Sequence, residues 1–194
     1  MKLRYWLLAV VVLGSGCGKE EHAEAVRLGQ ALTQKQANFA NANALEKVFV
    51  GSARAWCGGI TSNGAGKGPA LDQNAAVATE LAKSAVAIGA ELSQVRQAVD
   101  DLSLKSEFPQ GVRATLITQL TKRQRSLQEM RALLEQAAPE FLTYHQSTTY
   151  KGDLYPGGIG KLDALLSAYA IPNDDVATAL VALKTKYNFA PGEI

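Results

Sequence analysis

The sequence predicts an all-α protein, a long antiparallel three-helix bundle with a small C-terminal helical hairpin. Three observations lead there. Ala78, Leu81, Ala85, Ile88, Leu92, Val95, Val99 and Leu102 step alternately by three and four residues, the seam of a helix that packs along its whole length on another. A second seam follows within a few residues, formed by Leu116, Leu120, Arg123, Leu127, Met130, Leu134, Ala137 and Phe141. No stretch reads convincingly as a strand, and no internal repeat or low-complexity tract is found.

Taken in order, Glu20–Cys57 reads as the first long helix, with Leu28, Leu32, Phe39, Ala42, Leu45, Phe49, Ser52 and Trp56 at helical spacing and no proline to interrupt them. Gly58-Gly59 is its expected stop, opening a glycine-rich connection that runs to Pro69. The second helix spans about Ala70–Leu104. The third starts near Pro109, a residue suited to a first turn, and runs to His145. The short connection between them makes the two antiparallel. Pro139 is expected to kink or restart the third helix, because it lacks a backbone donor and its ring crowds the preceding turn.

Gln146–Gly160 reads as a loop of glycine, proline and tyrosine. Two short helices follow, Lys161–Tyr169 and Asp174–Tyr187, with Asn173 or Asp174 capping the second. A hairpin this small cannot bury enough surface to fold alone, so it is expected to pack on one end of the bundle.

The N-terminus carries the address. Lys2 and Arg4 precede an apolar run from Tyr5 to Leu13, and Gly14-Ser15-Gly16 lead into Cys17. A basic start, a short apolar core and small residues before a cleavage point form a secretory signal. The run is well below the ~20 apolar residues that cross a bilayer as a helix. An apolar run, three small residues and a cysteine also resemble the lipobox of bacterial lipoproteins, although the large aliphatic residue, Leu13, stands one place earlier than usual. The resemblance covers these residues only. It implies cleavage before Cys17, diacylation of its sulfur, palmitate or a similar chain on the new amino terminus, and a stable lipid anchor. Gly18 stands in the place where an Asp retains enteric-type lipoproteins at the inner membrane, so the resemblance implies the outer membrane. Gly14 and Gly16 equally suit ordinary signal peptidase, which leaves export without acylation as the alternative. The expected organisation is a signal peptide over 1–16, a lipidated terminus and spacer over 17–24, the bundle over 25–148, and the Gly/Tyr-rich loop and hairpin over 149–194.

Charge excludes one class of partner. The chain holds 20 Lys and Arg against 18 Asp and Glu, and the excess is Lys2 and Arg4. Without the signal the domain is balanced, with no basic footprint for nucleic acid. Once Cys17 is acylated, only Cys57 remains, so no intrachain disulfide forms and packing alone holds the fold.

The candidate sites are few. Asn63–Gly68 superficially suggests a phosphate-binding loop, but Thr61 stands where the first glycine belongs, Gly68 replaces the Ser or Thr, and no strand precedes it. His22 and His145, the only histidines, lie in no metal-binding spacing, so no metal and no cofactor is predicted. Cys57 reads as an inert buried thiol, with an intermolecular disulfide as the sharper alternative. Lys122-Arg123-Gln124-Arg125 is a solvated helix face except for Arg123, which falls on the seam and is expected to snorkel or to pair across helices. Seven of eleven aromatic residues after the signal lie beyond Glu140. Tyr150 and Tyr155, on a glycine loop outside any apolar period, are expected to expose their rings as a contact surface.

No pair of carboxylates, nucleophile with base, or metal set is placed by spacing, so no catalytic residue is assigned and an enzyme is the last of three readings. The first is a non-enzymatic, lipid-anchored scaffold, pilot or binding component of the bacterial cell envelope, with the membrane and an unidentified envelope protein as its partners. The second is a binding protein for a small ligand or cell-wall glycan, which a cavity with convergent polar groups would favour.

Overall fold

The computed structural model describes residues 18–170 and 174–194 in full and, for 3–17, the backbone alone. The side chains of the signal segment, that of Cys17 included, and the whole of the expected 171–173 separator with Asn173 therefore lie outside the described residues. Among the described residues there are six helices and no strand: α1 (Leu3–Gln34), α2 (Gln36–Asn63), α3 (Pro69–Asp100), α4 (Glu107–Gln146), α5 (Gly157–Ala168) and α6 (Asp175–Lys186). The all-α bundle predicted from the two seams is the fold observed, with α3 and α4 packed extensively on one another. Every predicted seam position from Ala78 to Val99 is buried, as is every one from Leu116 to Phe141. Leu102 lies beyond the end of α3 and is only half-buried.

Two compact units divide the chain, the first made of Met1–Ala37, Gln94–Leu120 and Asp174–Ile194, the second of Asn38–Ser93 and Thr121–Asn173. The two C-terminal helices are shared out between them, α5 in the second and α6 in the first. Leu162 and Leu166 of α5 are fully buried, and so are Val176 and Leu183 of α6. Asp174 caps α6 as expected, its carboxylate accepting from the Ala177 N–H at 2.8 Å.

Four boundaries differ from the sequence reading, each for a local reason. The first long helix is two, because Lys35 is a turn residue whose N–H is shared between the Ala31 and Leu32 carbonyls at 3.2 Å each. The helix does not stop at Gly58-Gly59. Each glycine costs about 1 kcal/mol relative to alanine, but the next turn buries Ile60 and carries the helix on to Asn63. The true stop is Gly64, at φ +75°, with its N–H on the Ile60 carbonyl. A side chain there would also meet the Gly152 carbonyl oxygen at 2.6 Å, so both backbone conformation and close approach demand glycine. Pro139 does not interrupt α4: it is exposed, which leaves the carbonyl it fails to satisfy towards water, while Ala137 and Phe141 on the other face are fully buried. Finally, Gly157, Gly158 and Gly160 belong to α5 and not to the loop before it.

The predicted stripe on α2 holds at Phe39, Ala42 and Phe49, but three of its other positions are displaced by one residue. Leu45 and Ser52 are exposed and Trp56 half-buried, whereas Glu46, Ala53 and Cys57 are buried. Hydrophobicity alone would never choose Glu46 over its neighbour Leu45. The facing residue decides it: Arg123 of α4, 3% exposed, donates to the Glu46 carboxylate and, at 2.7 Å, to Asn43 Oδ1. Its guanidinium also lies over the Phe39 ring, 5.0 Å from the centroid. The Tyr169 hydroxyl supplies a further donor to Glu46. Arg123 thus pairs across helices, as its place on the seam suggested.

Candidate binding groove and the polar contacts around it

The first unit contains a groove of about 900 Å³ between the opening turns of α4 and the length of α6, with Glu21 of α1 on its edge. Its floor is apolar, with Leu116 and Ala179 buried and Phe108, Val112 and Ala182 half-buried. Its size lies at the upper end of the range of small-molecule sites, which combine such a floor with a few placed polar groups.

The position of α4 is set from α1. Glu24, 1% exposed, accepts from the Lys105 N–H at 2.9 Å with both oxygens and from the Ser106 N–H at 2.8 Å. A carboxylate at this point satisfies donors the helix cannot and complements its dipole. Burial alone would raise the Glu24 pKa, but the Ser106 and Lys105 donors outweigh it and hold the carboxyl below its ordinary value. The connection is tied further by Gln110, whose side chain donates to the Leu104 carbonyl, and by Arg113, which donates to the Leu102 carbonyl.

The far wall is a second charged contact. Glu21 Oε1 accepts from Lys186 Nζ at 2.7 Å and from the Tyr187 hydroxyl at 2.5 Å, and these bonds hold its carboxyl below the usual range. The Lys186 ammonium also sits 4.1 Å from the Phe108 ring centroid. Burial and the bond to Glu21 push the Tyr187 phenol upwards. Beside it His22 packs edge-on against Tyr187 and, tilted by 46°, against Phe189, with Nε2 3.4 Å from Glu193 Oε1. Apart from His22, and from Tyr187 and Phe189 as members of the C-terminal aromatic cluster, none of these residues stood out in the sequence. The one available signal was spacing, since Glu21, Glu24 and Leu28 share a face of α1.

The residues that did stand out lie elsewhere. Tyr150 and Tyr155 are both half-buried, which corrects the expectation of exposed rings. The loop folds back on α4, so that Tyr150 stacks on Tyr144 with centroids 4.7 Å apart and donates to the Leu154 carbonyl. Cys57 is fully buried, and burial, with a smaller contribution from Asp163, pushes its thiol up to about 12. Its burial agrees with the sequence reading, and a disulfide to another chain would first require this side chain to be uncovered. His145 is exposed and 2.7 Å from Asp72 Oδ1. Among the described residues no group of three or more His, Cys, Asp or Glu side chains could hold a metal ion. Gly64, Gly66 and Gly68 turn the chain from α2 to α3, and Asn74 ties that turn down by donating to the Ala65 carbonyl while accepting from Trp56 Nε1.

Glu24→Gln should therefore cost about 1–2 kcal/mol at neutral pH, because a neutral amide accepts more weakly than a carboxylate at buried donors. Since the folded-state pKa of Glu24 lies below its ordinary 4.5, its contribution is complete above that pH and is lost as the pH falls through the folded value. Urea unfolding of wild type and variant at pH 7 and pH 3 checks this. The gap should narrow in acid, and an equal gap at both pH values would show that charge is not what Glu24 contributes.

No protein-family model matches the chain, and neither a curated protein nor a solved structure is significantly similar to it.

Proposed function

We propose that this chain is an exported, lipid-anchored binding component of the bacterial cell envelope that acts without catalysis, through the groove of its first unit. The groove is the observation that carries the binding half of this reading: it joins an apolar floor to convergent polar groups, as a ligand site does. The anchoring half rests on Lys2 to Cys17, with their signal-like order and lipobox-like end. The two halves meet at Glu21, which borders the groove only four residues after Cys17. At no more than ~3.6 Å per residue, four residues keep the Glu21 backbone within ~15 Å of the Cys17 backbone, close to the surface of the membrane that would hold it.

The test is metabolic labelling with palmitate, followed by fractionation, of the native chain and of Cys17→Ser in a bacterial host. The native protein should carry the label and sediment with the membranes. Cys17→Ser should lose both, since it removes the sulfur that carries the acyl chains and leaves no lipid anchor. A native chain that never takes up label overturns the anchor. An envelope partner held on exposed helix faces fits the same reading, and detergent extraction followed by affinity purification would reveal it as a stoichiometric companion.

A further inference from the structure

We infer that the groove takes the acyl chain of a membrane lipid and recognises that chain, leaving the head group in water. The inference rests on the groove-binding reading above and adds to it the class of ligand.

The shape of the groove selects a thin ligand. Its lining runs from Phe108 to Gln119 on α4 and from Asp175 to Lys186 on α6, so each wall is ~16 Å long at ~1.5 Å per residue. A volume of about 900 Å³ spread over that length is roughly 8 Å across, narrower than the ~10–12 Å of a helix with its side chains. A partner helix would rest on the rim without reaching the floor. An extended peptide is thin enough, but two helix walls offer no sheet edge to pair with its amides, and an amide buried without a partner is costly. An aliphatic chain has no polar atom to satisfy. Val112 and Leu116 on one side, Ala179 and Ala182 on the other, give it an uncharged floor.

Charge does not choose the head. Glu21 and Lys186 border the groove but hold each other at 2.7 Å. Asp175 is buried and has its own partner within the protein. Lys105 and Glu107 remain, one of each sign and both exposed. An anionic and a cationic head therefore meet a balanced rim that water and salt screen. The membrane supplies the lipid, since on the anchor reading the Glu21 end lies near its surface. The chains on Cys17 are not the occupant, because a stable anchor needs them in the bilayer.

Gly111 provides a clean way to close the site. It lines the groove, lies inside α4, and a Cβ built on it meets nothing within 4 Å. Gly111→Leu should therefore fill the groove while raising the melting temperature slightly, as a better helix former. Thr178→Trp, from an exposed position on the opposite wall, blocks the same space and stands in should the first variant fold poorly.

The full Cys17→Ser chain, which leaves the membrane on the anchor reading, allows binding to be measured by isothermal titration calorimetry without detergent. The probes are lysophosphatidylglycerol, anionic, and lysophosphatidylethanolamine, net neutral, each below its micelle concentration. Chains of about 8, 12 and 16 carbons are shorter than the groove, matched to it and longer than it, given carbon–carbon bonds of ~1.5 Å in a zigzag. A methylene half covered in an open groove should tighten binding about twofold, so the dissociation constant should fall roughly 16-fold from the shortest chain to the middle one and by much less beyond it. The two heads should agree within about threefold, since the rim charges balance. Gly111→Leu and Thr178→Trp should each abolish binding. Native protein extracted in digitonin, which has no linear alkyl chain to compete, should carry one non-covalent lipid by native mass spectrometry. Affinity that follows the head and not the chain length, still lost in the blocking variants, overturns the acyl-chain class and leaves the groove as a binding site. Native protein without a non-covalent lipid, beside a Cys17→Ser chain that binds the probes, overturns the membrane lipid as occupant and gives the groove to the chains on Cys17. No binding of any probe, or binding untouched by both blocking variants, overturns the groove as the site as well.

Discussion

Arg123→Met should lower the stability of the protein by about 3–5 kcal/mol, because it strands the Glu46 carboxylate, 0% exposed, without its cation. For a chain of this length that corresponds to roughly 6–20 °C in melting temperature. The magnitude comes from desolvation, and not from any large net gain in making the pair. Two charges leave water to form it, and their attraction does little more than offset that cost. The same argument gives the double variant Arg123→Met with Glu46→Leu a different outcome: with both charges gone, most of the loss should return. The Tyr169 hydroxyl, which now donates to Glu46, belongs to a half-buried side chain that can turn towards water. Thermal unfolding of the two single variants and the double variant forms a complete cycle. A double variant as unstable as Arg123→Met alone would mean that Arg123 contributes by packing on Phe39 and not by neutralising Glu46.

Leu92→Ala and Leu127→Ala should each cost about 2–5 kcal/mol, the range for emptying a leucine site in a closed core. Leu92 of α3 is 0% exposed and Leu127 of α4 is 2% exposed. Gln97→Ala, on the exposed side of α3, should stay within about 0.5 kcal/mol. Because the three positions lie on the same pair of helices, helix propensity cannot account for such a spread, and only the position of the seam can. Chemical denaturation with a common slope would measure it. Small and equal effects at all three would contradict the burial pattern itself.

The seams are also where the sequence was most legible. Along α3 and α4 the step of three and four recurs so often that only one register buries it, and the structure follows that register from Ala78 to Val99 and from Leu116 to Phe141. On α2 the pattern is thinner. Leu45 and Glu46 stand side by side, and a reading by hydropathy turns the helix to bury the leucine. The opposite occurs because Arg123, some eighty residues away, needs a partner. Helix ends were legible where side chains cap them locally, as at Asp174. They were not where packing pays for glycine, as at Gly58-Gly59, or where the partner comes from another helix, as Glu24 does for the start of α4.

What the sequence determined by itself about this protein is everything written in local chemistry. The helical class, the two heptad seams, the cap of α6, the balanced charge of the domain and the signal-like start with Cys17 each depend on residues within a few turns of one another. The tertiary structure alone decided which polar groups become interior. Glu46 with Arg123, Glu24 with the Lys105 and Ser106 amides, and Glu21 with Lys186 join residues more than seventy positions apart. It alone also opened the groove, whose floor belongs to two helices distant in the chain. The reason is physical: an apolar stripe announces its burial through periodicity, whereas a buried charge is stable only beside a partner that no local pattern encodes.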